Sequence, residues 1–225
     1  MEERQTRAGQ ASYSSAGAES EGRGPERLEA FSDGVFAIAI TLLVLEIRVP
    51  AADRFVSPRV LLSALGELWP SYLGYLVSFV TIGIIWINHH SVMEQIAHVD
   101  RVFLMLSILF LANIAFIPFP TRLLAESINR PTDAQAAAIA YGVTLTLTAI
   151  LFNALWRYAA RGKRLLRADA NPRTIDGIGR SYLPGPFLYL TATTVALVNP
   201  YLSAALYGAL ALFYVLESAL FGSRR

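Results

Sequence analysis

Residues Arg27 to Glu46 read RLEAFSDGVFAIAITLLVLE, and the fold turns on how such a stretch meets a bilayer. After Asp33 come twelve uncharged residues, Gly34 to Leu45. A hydrocarbon core of about 30 Å asks for roughly 20 apolar residues in helical form. The stretch therefore predicts a membrane-spanning helix with a polar opening. Asp33 lies almost two turns in from Arg27, where a carboxylate is costly unless it is paired or hydrogen-bonded inside the protein. Two readings follow: a structural carboxylate partnered by an arginine or histidine, or a group that handles ions directly. Downstream, at about 100° per residue, Ile38, Thr41 and Leu45 share one face, with Leu42 beside it and Asp33 about 140° from Ile38. Taken by itself, such a stripe packs or faces lipid.

The rest of the 225-residue chain has the same character. It is 54% hydrophobic and only 16% charged, where a soluble domain carries about a quarter. The absence of cysteine excludes disulfides, thiolate zinc sites and a cysteine nucleophile. A net charge of +2 is too mild for a nucleic-acid partner. Six apolar segments are expected to cross the membrane: Leu28–Val49, Tyr72–His89, Val102–Leu124, Ala134–Tyr158, Leu183–Val198 and Tyr201–Phe221, with five as the fallback count. Pro118 and Pro120 interrupt the third near its end. The fold class is all-α and integral to the membrane. Residues 1–26 read as a disordered cytoplasmic tail without a signal peptide, residues 27–222 as one transmembrane domain, and residues 223–225 as a short cytoplasmic end. Pro58–Trp69 reads as an interfacial helix on the outer side, anchored by Trp69.

Orientation follows the basic residues. With a cytoplasmic N-terminus and six crossings, 14 of the 19 Lys and Arg residues fall inside and 5 outside. Seven lie between Arg157 and Arg180 alone, a loop expected to set topology and to touch anionic lipid headgroups. Both termini are then cytoplasmic, and a multi-pass protein of the plasma membrane is expected.

Other polar groups sit in the second and third segments. Trp86 is placed to lay its ring on the first helix and offer its indole N–H to a polar partner. His90, Glu94 and His98 recur every four residues, so on a continuous helix they share a face. That spacing suits either a divalent metal or interfacial hydrogen bonding that includes Asp33. It is not HExxH and offers no fourth ligand, so neither a metal site nor a cofactor is expected. Asn113, at mid-span, is expected to hydrogen-bond across helices. There is no hydrolase triad, Walker loop, TVGYG filter or arginine-studded helix, and no enzyme is expected.

The run Arg27-x-x-x-Phe31-Ser32-Asp33-Gly34, the pattern Trp86-x-x-His89-His90, and Asn113 followed by Pro118-Phe119-Pro120 resemble the bacterial TMEM175-like potassium channels. The similarity runs from about Arg27 to Phe221 and is only topological after about Asp133. It implies a potassium-permeable homotetramer of six-helix subunits, with the first helix of each around a central pore. Carried over by position, Ile38 is the hydrophobic constriction, Thr41 a hydroxyl layer linked to selectivity, and Leu45 the next layer. Leucine often stands where this chain has Thr41, which leaves the division of labour between Thr41 and Leu42 open. Arg27, Phe31, Ser32 and Asp33 belong to a structural polar network. In it Phe31, Ser32 and Asp33 turn away from the ion and tie the first helix to the second and third through Trp86, His89 or His90. Asn113 is assigned to the same network.

The resemblance gives the stripe a mechanism. A ring of Ile38 side chains gates by dewetting. Potassium holds its water more loosely than sodium, so a ring that forces partial dehydration favours potassium modestly. The partners implied are potassium ions, further copies of the chain and membrane lipids. Two other functions remain as alternatives: an ion- or proton-coupled transporter using Asp33 with His89 and His90, and a metal enzyme using His90, Glu94 and His98.

Overall fold

The computed structural model describes residues 24–51, 55 and 57–221, and every regular element there is helical. The first helix, α1, runs Gly24–Glu46 and ends in a 3-10 turn, Leu43–Glu46. It is followed by α2 (Pro58–Glu67), α3 (Trp69–Met93), α4 (Arg101–Phe116), α5 (Pro118–Ser127) and α6 (Pro131–Ala160). A 3-10 turn, Arg161–Lys163, leads to α7 (Pro172–Tyr182), α8 (Gly185–Val195) and α9 (Pro200–Phe221). Four helical stretches are long and apolar enough to cross a membrane: Gly24–Glu46, Trp69–Met93, Arg101–Ser127 and Thr132–Lys163. Most of the tail at residues 1–26, together with residues 223–225, lies outside the described residues.

Local sequence explains where helices start. Ser57, Asp100 and Asn171 precede α2, α4 and α7, and each accepts a hydrogen bond from a backbone N–H of the first turn. Proline occupies the first turn of α2, α5, α6 and α7, where its missing N–H costs nothing. Pro118 and Pro120 divide the third expected segment into α4 and α5 at Ile117, because a proline ring collides with the carbonyl four residues back. Gly162 adopts φ +66°, ending the α6 rod and turning the chain toward α7.

Three expectations change. The interfacial helix stops at Glu67, and Trp69 opens α3 instead, so that segment begins earlier than Tyr72. The basic loop after Arg157 contains a helix, α7, which buries Ile178 and leaves Arg173 and Arg180 outward. Two glycines and a low apolar content concealed its amphipathic period. The fifth segment forms only the eleven-residue α8.

The core is an aromatic chain from the first helix to the seventh. Phe36 of α1 packs on Phe110 of α4 with ring centroids 6.1 Å apart. Phe110 packs on Phe152 of α6 at 5.7 Å, and Phe152 meets Tyr182 of α7 edge-on at 4.7 Å. The α3–α4 and α6–α7 connections pair through one antiparallel bridge, Ile96 with Leu166, and Ala97 N–H donates to the Leu165 carbonyl at 2.8 Å. The helices thus form a single packed body that presents α1 on its flank.

Candidate functional site

α1 has two unlike faces. Leu28, Ser32, Phe36, Ala39 and Leu43, spaced three and four apart, are buried. Opposite them Phe31 is 57% exposed, Ile38 60% and Leu45 69%, with Gly34, Ala37, Thr41 and Leu42 also exposed. The open face is continuous and carries no charged side chain from Ala30 to Leu45 except the half-buried Asp33 at its margin. Thr41 Oγ1 donates to the Ile38 carbonyl at 2.9 Å. Its one hydrogen is therefore committed, and what the hydroxyl offers outward is oxygen lone pairs. Those suit a cation or the hydrogen of a water.

The polar opening of α1 is fastened by one of the expected ties. Among the described residues the Asp33 carboxylate is hydrogen-bonded neither by arginine nor by histidine: Trp86 Nε1 donates to its Oδ1 at 2.8 Å, joining α1 to α3. Ser32 is fully buried, but its hydroxyl donates to the Leu28 carbonyl of its own helix. Within one chain it ties nothing across. Phe31, assigned to the same network, instead shares the open face with Ile38 seven residues on, and Arg27 is exposed at the start.

The two histidines part company. His90 stacks on Trp86 with centroids 6.1 Å apart, and its Nδ1 lies 3.0 Å from Glu29. His89 is buried between two rings, tilted on Phe36 at 5.5 Å and parallel to Phe110 at 5.6 Å. Its Nε2 is buried without a hydrogen-bond partner. Among the described residues no hydrogen-bonded path joins Asp33 to either histidine. Asn113 does bridge helices, but from α4 to α6, donating to the Thr144 carbonyl at 3.1 Å and to Thr148 Oγ1 at 2.6 Å. It is separate from the Asp33 pair.

His90 and Glu94 approach to 3.7 Å, whereas α3 ends at Met93, so His98 leaves their face. Among the described residues no three His, Asp or Glu side chains converge as metal ligands.

One cluster had no counterpart in the sequence reading. At the far end of α1, Arg122 Nε donates to Glu126 at 2.8 Å and its other arm reaches Glu46 at 3.3 Å, while Arg48 meets Glu126 at 2.9 Å. The i,i+4 pair Arg122–Glu126 was visible as a spacing. Its reach to Glu46, 76 positions away, was not. At the opposite end of the bundle, Tyr158 donates to Asp100 Oδ2 at 2.6 Å, and Arg164 lies 3.9 Å from that carboxylate. Burial pushes the Asp100 carboxyl up. The Tyr158 hydroxyl, the Phe103 N–H and the Arg164 charge outweigh it and hold the group below the ordinary carboxylate value.

The family model described as the endosomal/lysosomal potassium channel TMEM175 matches residues 27–118. A potassium channel of Chamaesiphon minutus is 45% identical over 192 residues, covering 85% of this chain and 94% of that protein. A potassium channel of Streptomyces collinus is 43% identical, covering 84% and 90%. The crystal structure of a lysosomal potassium-selective channel TMEM175 homolog from Chamaesiphon minutus superposes with a TM-score of 0.77 at 42% identity, over 86% of this chain and 97% of that one.

Proposed function

Because the chain belongs to the TMEM175 family, we propose that its potassium conduction runs along the open face of α1, gathered from four copies around an axis. The chain is a potassium channel of that family and not an enzyme. In the reading proposed here each copy crosses the membrane six times, by α1, α3, the α4–α5 pair, α6, α8 and α9. Both termini face the cytoplasm, and the membrane is that of the cell surface.

The observation that carries this reading is the exposure of Ile38 and Leu45 on a helix whose other face is sealed. A route for cations gains from a hydroxyl with its lone pairs turned outward. Thr41 has one, a turn beyond Ile38. Four Ile38 side chains form an apolar ring that water crosses poorly and that conducts when it widens. Four Thr41 oxygens just beyond it replace part of the water shed by a passing ion. They are fewer and less fixed than the carbonyls of a backbone filter, so potassium is preferred over sodium only modestly. Arg27, Ser32, Asp33, Trp86, His89, His90 and Asn113 act as scaffold for α1 rather than as ion ligands, and Leu42 borders the route beside Thr41.

The test is ion flux into liposomes holding the purified protein. Uptake driven by a potassium gradient, exceeding that with sodium and absent with choline, is the expected result. Flux that appears only when a proton gradient is imposed would instead establish a coupled transporter.

A further inference from the structure

One further space in the molecule takes no lining residue from α1. A cavity of about 420 Å³ lies among α3, α5, α6 and α9, with Trp69 at one end. No charged residue lines it. Glycine and alanine on two of the walls, Gly74 on α3 and Ala204, Ala205 and Gly208 on α9, leave the room that larger side chains would fill. The volume is that of a ligand site, typically about 300–1,000 Å³, rather than of a packing defect.

The Ser78, Thr121, Tyr141 and Tyr207 hydroxyls along it are already satisfied. Thr121 Oγ1 donates to the Ile117 carbonyl at 2.8 Å, so it can only accept from Ser78, 2.8 Å away. Ser78 in turn accepts from the Tyr141 hydroxyl at 3.0 Å. The chain of donors, Tyr141 to Ser78 to Thr121 to backbone, leaves no free hydrogen pointing into the space. Tyr207 likewise gives its hydrogen away, to the Ala138 carbonyl at 3.1 Å. The walls around these four hydroxyls therefore ask for apolar matter, and the donors that remain on the lining are the Trp69 indole and the Tyr201 hydroxyl.

Length and position narrow the occupant. Ser78 lies nine residues along α3 from Trp69, about 13.5 Å at 1.5 Å per residue, close to half of a hydrocarbon core of about 30 Å. The cavity thus runs from one interface to mid-bilayer, the depth of one leaflet. α5 turns Thr121, Leu124, Ala125 and Ile128 toward it, while Arg122 and Glu126 on the other side of α5 hold the end of α1. Copies gathered around α1 accordingly leave this cavity on the lipid side.

We propose that the cavity between α3, α5, α6 and α9 binds one acyl chain of a phospholipid from the leaflet on the Trp69 side. This rests on the proposed gathering of copies around α1, which leaves the cavity toward lipid, and its test uses no ion flux. The purified protein is incorporated in nanodiscs containing a phosphatidylglycerol whose acyl chain ends in a diazirine, irradiated, and mapped by peptide mass spectrometry. Label is expected on Gly74–Ser78 and Ala204–Gly208, saturating with probe and displaced by unlabelled phosphatidylglycerol. Ala205→Phe, which fills the space, should lower that label about tenfold. Gly208→Leu is the second variant; its Cβ meets Val77 at an ordinary 3.8 Å, and the unfolding temperature of the variant checks that the rest of the side chain is accommodated. Label that rises without saturation, that stays confined to the outward Leu212 and Phe213, or that is unchanged in the filled variants overturns the proposal. So does crosslinking at Ala205 to a second copy of the chain.

Discussion

α6 and α1 are both apolar helices long enough to span a membrane, yet their surfaces are used in opposite ways. Half of the apolar window of α6 is buried, against 28% of that of α1. α6 hides polar groups: Thr144, Thr146 and Thr148 are buried, each hydroxyl bonded to a carbonyl four residues back. α1 displays aliphatic ones, Ile38 and Leu45 above all. In lipid there is no hydrophobic penalty for showing isoleucine, so burial inside one chain tracks close packing and hydrogen bonding rather than polarity. α6 is the post of the fold. α1 packs along one buried face, from Leu28 to Leu43, and keeps its other face for something outside the single chain.

The largest effect expected from that contrast lies on α6. A Cβ at Gly142 would overlap the Tyr207 hydroxyl and Thr193 Oγ1, both buried where α6, α8 and α9 meet. Gly142→Ala should therefore cost about 3 kcal/mol through overpacking, read as lower yield and a lower unfolding temperature in detergent. The same change at Gly34 on α1, where nothing lies within 4 Å, should leave both unchanged in the isolated chain. If the two alanines behave alike, the division into post and flank is wrong.

Sequence reached α1 and α6 unequally as well. Periodicity placed Ile38, Thr41 and Leu45 on one face and gave α6 its span within three residues at each end, because both signals are local. Whether the α1 stripe packs or stands open is a property of its neighbours, which no single-helix pattern carries. Asp33 was recognisable as a buried-looking carboxylate and Trp86 as a candidate tie, but the choice among Trp86, His89 and His90 depended on how α1 and α3 pack. His89 and His90 are adjacent in sequence, yet 100° of helix sends one into the Phe36–Phe110 sandwich and the other to Glu29. The His90–Glu94–His98 spacing failed for the plainest reason: its helix ended first.

The fastening of α1 gives the next largest effect. Trp86→Phe keeps the ring but removes the only donor bonded to the Asp33 carboxylate among the described residues. A charge-assisted hydrogen bond of this kind contributes about 2 kcal/mol. The expected outcome is a drop in unfolding temperature or in the yield of assembled protein, with potassium preference retained in what assembles. Asp33→Ala should do the same. Retained assembly with altered ion preference would move the carboxylate from the flank into the conduction route.

On the open face the expected change is in flux and not in stability. Ile38→Asn wets the constriction, and removing about 1.4 kcal/mol of barrier raises basal potassium flux about tenfold. Preference over sodium should fall with it. Because the side chain is 60% exposed in one chain, the unfolding temperature of dissociated protein should not move. A variant that assembles normally and conducts like its parent shows that Ile38 does not border the path.

The smallest effect belongs to the anchor at the far end of α6. Asp100 sits lower in the folded protein than in the unfolded chain, since Tyr158, the Phe103 N–H and Arg164 together outweigh its burial. A carboxyl with a depressed folded value binds fewer protons folded than unfolded, so its contribution is present above the ordinary carboxylate range. It is lost as the pH falls through that range. The side chain is 37% exposed and its partner Arg164 60%, so screening holds the contribution under about 1 kcal/mol. Asp100→Asn should accordingly lower the unfolding temperature by a small margin at neutral pH, and the margin should close on acidification below the carboxylate range. It should leave potassium flux untouched, because this tie secures α4 to α6 and the 3-10 turn beyond it and includes no residue of α1. A flux change in this variant would mean that the post moves when the channel opens, and the contrast between α6 and α1 would then be one of degree.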